Sequence, residues 1–388
     1  MNLHPSARTR RPLLARQRGV TLVELMVGLV IGLLATLVIA QVAIVFEGQK
    51  RSTTGGSDAQ LNGALALQTL QRDIQLSGYG IATGGGAGCE LRGSRNGTVP
   101  PWNGQPMVAV RIVDGTDVAT GSPDSLFMLF SGKADSSFYS LPIRVYQNHR
   151  RDGSEFVLDE RTNIGTAQGD MMVVVPTPTP LPSASQVTPS WCSVFNISVD
   201  PATTDNRIVH QPGTDGPWNQ DSTNTVFPGA VNADTSYAAG SHLVNLGTMT
   251  YREYSLSTST TGSALQMRSV DNNTAQWVTA DALFPQIVNL QAVYGRDTSV
   301  TRDNVVDAWD NTAPTTADGW SRVIAVRIAL VARSNQREKE IVTVTEPTWM
   351  PDGVNTQPLK VDHLDSWQHY RYKVFEAAVP LRNMLWQS

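Results

Sequence analysis

Between Leu25 and Phe46 the chain carries no charged residue, and the run LMVGLVIGLLATLVIAQVAIVF exceeds the roughly 20 apolar residues that a helix needs to cross a bilayer. Inside hydrocarbon every backbone N–H and C=O must be satisfied within the segment, so this stretch is expected to be helical and to span. Arg8, Arg10, Arg11, Arg16 and Arg18 precede it, with no acid among the first nineteen residues. That excess of positive charge predicts a cytoplasmic N-terminus, with everything after Phe46 on the far side of the membrane. A cleavable secretory signal has a shorter apolar core followed by small residues, and neither the length nor the flank fits that pattern.

Glu24 lies just inside the start of the apolar run. An ionised group in hydrocarbon costs several kcal/mol unless it is paired. Two readings follow: a plain signal anchor whose acid snorkels to the headgroups, or a buried acid that requires a partner. The octet Arg18-Gly19-Val20-Thr21-Leu22-Val23-Glu24-Leu25 resembles the prepilin peptidase motif of type IV pilins and type II secretion pseudopilins. The resemblance implies cleavage after Gly19 by a dedicated aspartic peptidase, methylation of the new amine on Val20, and Glu24 as the fifth mature residue. The family more often has Phe at the first mature position, where this chain has Val20.

The chemistry of the motif is intelligible. A small Gly19 lets the backbone enter a peptidase cleft, and the ammonium freed on Val20 of a neighbouring subunit supplies the partner that Glu24 needs. The acid would then act as a registry device, neutralised when a subunit docks correctly and unpaired when it does not. Gly28 and Gly32 form a GxxxG step within the span, readable as a helix-packing face or as ordinary membrane-helix composition.

The whole chain is long enough, at 388 residues and 40% hydrophobic, to bury a full core. Its formal charge of −4 becomes −9 once the five leader arginines are removed, so it has no basic balance for phosphate and no nucleic acid is expected as a partner. Two cysteines occur, Cys89 and Cys192. An even pair in a chain leaving the cytoplasm reads as a disulfide, with two buried free thiols as the alternative.

After Phe46, Leu61, Leu65, Leu67, Leu70 and Ile74 recur at mostly three- and four-residue steps, predicting an amphipathic helix within residues 47–80 that ends at Ser77-Gly78-Tyr79-Gly80. Gly55 and Gly56, each poor in a helix interior by about 1 kcal/mol, predict a bend or melted turn before it. Residues 81–388 then read as short strands between Gly, Pro, Asn, Asp, Ser and Thr clusters. The strand candidates are Met107 to Val113, Ser125 to Phe130, Met171 to Val175, Ser193 to Val199, Thr248 to Leu256, Ile287 to Tyr294, Val323 to Ala332 and Val374 to Val379. Scarce helical patterns argue for antiparallel pairing, so the expected class is α+β: a long N-terminal helix, transmembrane over residues 20–46, packed on a mainly antiparallel β domain. Pro176 to Pro182 reads as an extended exposed connection and Thr203 to Ser236 as a polar, turn-rich insertion, each a tolerant loop or, as the alternative, a binding surface.

Several segments narrow the resemblance to PilW-type minor pilins: Leu70-Gln71-Arg72-Asp73-Ile74 with Gly78-Tyr79-Gly80, the stretch Ile287 to Gly295, and Tyr370 to Phe375 with Val379-Pro380-Leu381-Arg382-Asn383. Gln75 and Ser77 stand where that family more often has Arg and Ala. The resemblance implies a single-pass inner-membrane protein with a periplasmic C-terminal domain that helps initiate pilus assembly, and hence adhesion and twitching motility. Its partners would be prepilin peptidase, other minor pilins and the major pilin. A J-type pseudopilin of type II secretion shares the N-terminal chemistry, and a membrane-anchored periplasmic enzyme or adhesin is the reading from another class.

Asp297, Asp303 and Asp307, with Asn304 and Asp310, make an oxygen-rich loop of the kind that holds calcium, against the alternative of a solvated loop; the spacing is not that of an EF-hand. Ser299 to Thr301 replace some of the acids that PilW-like chains carry after Tyr-Gly. His363, Asp365 and His369 match no metal-site spacing and read as surface residues. The recognised nucleophile, zinc and phosphate-loop motifs are missing, so no catalytic residue and no other cofactor is expected.

Overall fold

The computed structural model describes residues 19–81, 85–115, 122–135, 142–159, 165–177, 191–219, 226–228, 235–259 and 262–385. The leader arginines and most of the Pro176 to Pro182 run lie outside the described residues. The chain divides into two compact units, Met1–Thr54 and Gly55–Ser388. A single helix, α1, runs from Leu22 to Leu76. In the first unit residues 19–48 are all exposed, as an apolar segment destined for lipid or protein partners must be.

The glycine pair that predicts a bend is helical. Gly55 is buried, and a Cβ there would lie 2.6 Å from Asn335 Oδ1, so the residue serves a close approach and not a break in the helix. The expected apolar face is also corrected. The buried stripe of the second unit's helical segment is Ala59, Gly63, Ala66, Leu70, Asp73 and Ile74, while Leu61 and Leu65 face outward at 60% and 41% exposure. A Cβ on Gly63 would stand 2.2 Å from the Phe375 ring, which shows why glycine and not leucine stands at this point of the stripe.

The body is mainly antiparallel β. All eight strand candidates overlap strands, and two, Ser125–Phe130 and Met171–Val175, have the expected bounds. One sheet orders Glu90–Arg92, Trp191–Asn196, Met171–Val175, His242–Gly247 and Ile143–Arg144. A second is built on the long hairpin Thr250–Ser259 and Gly262–Asp271, extended by Ser125–Phe130 and Val110–Val113. A third, C-terminal sheet orders Ala308–Asp310, Ile287–Arg296, Val323–Arg333 and Tyr372–Pro380. Ala66, Leu70 and Ile74 share one core with Val326, Ile328 and Leu330 of the third sheet and with Leu126, Met128 and Tyr254 of the second. The other face of Val323–Arg333 is buried too, Ala329 and Val331 packing with Trp349, Leu359 and Val361.

Cys89 and Cys192 are bonded, with Cα atoms 5.8 Å apart. The bond ties the short edge strand Glu90–Arg92 to Trp191–Asn196, the one parallel pairing among the described strands. Three residues of parallel ladder are a weak attachment, and a covalent link closing a loop of 103 residues strengthens it. The double variant Cys89→Ser with Cys192→Ser is expected to lose about 2–5 kcal/mol of unfolding free energy, read as a lower urea midpoint matched by the reduced wild type.

A buried aromatic cluster beside the first sheet holds two histidines that the sequence reading passed over. His149 Nε2 and His210 Nε2 are 2.9 Å apart, and the His149 ring stacks on Phe156 at 3.9 Å. Burial pushes His149 down to about 3, and burial with the neighbouring His149 pushes His210 well below the ordinary imidazole value. Both are neutral in the folded chain, whereas unfolded imidazoles take up protons below about pH 6.5. Stability from this source is therefore full above that pH and is lost as the pH falls toward 3, at roughly 1.4 kcal/mol per pH unit for each imidazole. Urea titrations between pH 7 and pH 5 should show that slope, and His210→Phe should about halve it.

Candidate functional site

Gly19 and Val20 precede α1 outside regular secondary structure. Thr21 caps the helix: its Oγ1 accepts the Glu24 N–H at 3.3 Å and its carbonyl accepts the Leu25 N–H at 3.1 Å. Glu24 thus stands in the first turn, at the third helical position, where a carboxylate complements the positive end of the helix dipole. Thr21 was not singled out from sequence, although Thr21-x-x-Glu24 has the spacing of a capping box and was the available signal. Gly28 and Gly32 lie one turn apart on one face, and a Cβ on either would meet nothing within 4 Å. Along this stretch the chain offers an exposed apolar rod with a single acid at its head.

The opposite end of α1 is locked into the body. The Asp73 carboxylate accepts from Arg252 Nη1 at 2.5 Å and from the Tyr254 hydroxyl at 2.6 Å. Burial, reinforced by the hydrogen bond to Asp73 and its charge, pushes the Tyr254 phenol well above its ordinary value, so it remains a donor. Past Leu76 the chain turns at Gly78, whose φ of +78° suits glycine and whose Cβ position lies 2.6 Å from the Ala109 side chain. Asn383 Nδ2 donates to the Ser77 carbonyl at 2.8 Å and to the Leu76 carbonyl at 3.3 Å, satisfying oxygens that the helix end leaves open. Two PilW-like segments noted at opposite ends of the sequence, around Asp73 and Asn383, therefore meet at one helix terminus.

The Asp-rich loop is organised by its own backbone. Asp297 is buried, and its carboxylate accepts N–H bonds from Ser299, Asp303 and Asn304 at 3.0–3.1 Å. Burial acts to raise this carboxyl, but the three donors and Arg322 outweigh it and hold Asp297 below the usual carboxylate range. Asp307 accepts from the Thr298 N–H at 2.8 Å and the Ser299 hydroxyl at 3.1 Å, and Asp303 from the Val305 N–H at 2.9 Å. These carboxylates thus order the loop by accepting N–H and O–H bonds from its own residues. Among the described residues no three His, Cys, Asp or Glu side chains are grouped to hold a metal ion. His369 Nδ1 lies 3.0 Å from the Glu338 carbonyl oxygen, a partner 31 positions earlier in the chain.

One apolar helix long enough to cross a membrane, headed by a prepilin-like motif and followed by a β-rich body, defines a membrane-anchored, pilin-like protein. Residues 14–40 match the family model described as the prokaryotic N-terminal methylation motif, and residues 253–383 match that described as type IV pilus-assembly protein W. Together the two matches support a PilW-family type IV pilus protein, a likeness that implies interaction with other pilus components. No curated protein and no solved structure matches the chain.

The second match begins one residue after Arg252 and ends at Asn383, so it covers the third sheet together with Tyr254 and the helix-capping asparagine. The Asp73 lock should therefore govern how firmly the body holds α1. Asp73→Ala leaves the Arg252 charge half-buried without its partner and is expected to cost about 2–3 kcal/mol. Tyr254→Phe, which removes only one donor, should cost about 1 kcal/mol. Urea denaturation of the two variants and their double mutant measures both, together with the coupling between them.

Proposed function

We propose that this chain is a minor pilin, cleaved after Gly19 by prepilin peptidase, methylated on Val20, and inserted with other minor pilins and the major pilin into a complex that primes the pilus. The observation that carries the reading is Glu24, one acid on the first turn of a helix otherwise exposed and uncharged as far as Phe46. An acid in that position is costly in hydrocarbon, and the amine created on Val20 of a neighbouring subunit is the compensating charge. The arginine-rich leader supports a cytoplasmic cleavage site and a body held in the periplasm. Adhesion and twitching motility would follow from assembly, with the chain acting as a structural subunit.

Two variants separate processing from assembly. Gly19→Ala is expected to accumulate as the uncut precursor, visible as slower gel migration with Met1 retained at the N-terminus. Glu24→Ala should be cut normally yet fail to enter the sheared pilus fraction, with Glu24→Gln intermediate or equally defective. Normal maturation of Gly19→Ala, or normal incorporation of Glu24→Ala, would remove the corresponding half of the proposal.

A further inference from the structure

Three segments distant in sequence meet beside the third sheet around a cleft of about 460 Å³, within the size range of small-ligand sites. The edge strand Ala308–Asp310 contributes Trp309, and the hairpin formed by Thr348–Trp349 and Gln357–Pro358 contributes Trp349. Asp114 and Asp124 come from the connection between the strands Val110–Val113 and Ser125–Phe130.

The aromatic part of the wall is held in place. A Cβ on Gly295 would lie 2.7 Å from the Trp309 ring, so glycine allows the indole to lie close on the sheet. The Arg327 guanidinium carbon is 4.7 Å from the centroid of the same ring. The polar groups are equally fixed. Asp124 accepts the Gly115 and Ala292 N–H groups at 3.1 and 2.8 Å, and Asn311 Nδ2 donates to Asp114 Oδ2 at 2.7 Å. Gln291 Nε2 donates to the Asn289 side-chain oxygen and to the Ser122 carbonyl, both at 3.1 Å. Burial pushes the Asp124 carboxyl up to about 7 against its two backbone bonds, and Asp114 adds to the rise. Groups ordered before a ligand arrives lose little entropy when it binds.

This combination has a definite chemical complement. Indole faces stack on apolar C–H surfaces, while carboxylate oxygens accept, and amides both accept and donate, the hydrogen bonds that hydroxyl groups make. A sugar ring presents both kinds of surface. The cations around the cleft are already engaged: Lys360 with Glu346 at 3.2 Å, Arg296 with Asp310, and Arg327 Nη1 with the Met350 carbonyl at 2.6 Å. Asp114 and Asp352 leave the lining acidic in balance, which disfavours an anionic ligand.

We propose that this cleft binds an uncharged saccharide, a hexose unit of a neutral oligosaccharide stacked on Trp309 and hydrogen-bonded by Asp114, Asn311 and Gln291. The proposal does not depend on the assembly role, because a cleft in the body can be occupied whether or not the chain is processed.

The test uses the mature full-length protein in nanodiscs, free of sugar-headed detergent. Calorimetry and tryptophan fluorescence would follow titration with neutral glucose, galactose, mannose and N-acetylglucosamine oligosaccharides, with polygalacturonate as the anionic comparison. Saturable binding of at least one neutral oligosaccharide is expected, and Trp309→Ala should weaken it at least about tenfold. Asn311→Ala alters an exposed side chain, should weaken binding several-fold, and carries the test if Trp309→Ala lowers the melting temperature. Absence of binding by every neutral oligosaccharide, a preference for polygalacturonate, or wild-type affinity in both variants would overturn the assignment.

Discussion

The close approach of α1 to the β body is the contact on which the rest of the fold depends. Ala59, Gly63 and Ala66 bring the helix backbone to the strands at a distance that a larger stripe would forbid, as the overlap of a Gly63 Cβ with Phe375 shows. Leu70 and Ile74 take over further along, where the core thickens between the second and third sheets. Small residues contribute little buried area, so this part of the contact is weak in hydrophobic terms. The compensation lies at the end of the helix, where Asp73 binds Arg252 and Tyr254 and Asn383 caps the last carbonyls. Orientation of the helix thus rests on a few charge-assisted and capping bonds more than on area.

The other half of α1 obeys opposite rules. Residues 19–48 gain nothing from their own chain, since all of them are exposed and the Cβ positions of Gly28 and Gly32 meet no neighbour. Their stability must come from lipid or from other subunits, where backbone bonds closed within the helix are a requirement. Thr21 and Glu24 then serve two ends with one turn of structure. The cap orders the start of the helix, and the acid at the third position is exposed beside it.

How much of this was legible in the sequence depended on whether the signal was local. The apolar run and the strand candidates were, because uninterrupted apolar stretches and two-residue alternation are decided by neighbours in sequence; Ser125–Phe130 and Met171–Val175 could be placed to the residue. The buried face of the second helical half was not. Leucine periodicity pointed to Leu61 and Leu65, but a stripe chosen for closeness is written in Ala and Gly, and hydrophobicity ranks those low. Asp73 and Asn383 were seen as parts of family-like segments, yet the 306 positions separating Asn383 from Ser77 conceal that they serve one helix end. His149 and His210, 61 positions apart, were hidden for the same reason.

The cleft beside the third sheet takes that argument one step further. Trp309 and Trp349 lie inside the segment matching the PilW model, whereas Asp114 and Asp124 lie outside it. The aromatic walls rest on the sheet that packs against the locked helix, so their placement is tied to the scaffold through Gly295 and Arg327. The acidic wall hangs on a connection between two strands, where changes of length and sequence cost little stability. The stacking surface, Gln291 and Asn311 belong to the third sheet and its edge, and Asp114 alone of the proposed contacts comes from the connection. Selectivity among saccharides would then be set jointly by Asp114, Asn311 and Gln291, and the capacity to bind a ring at all by the sheet.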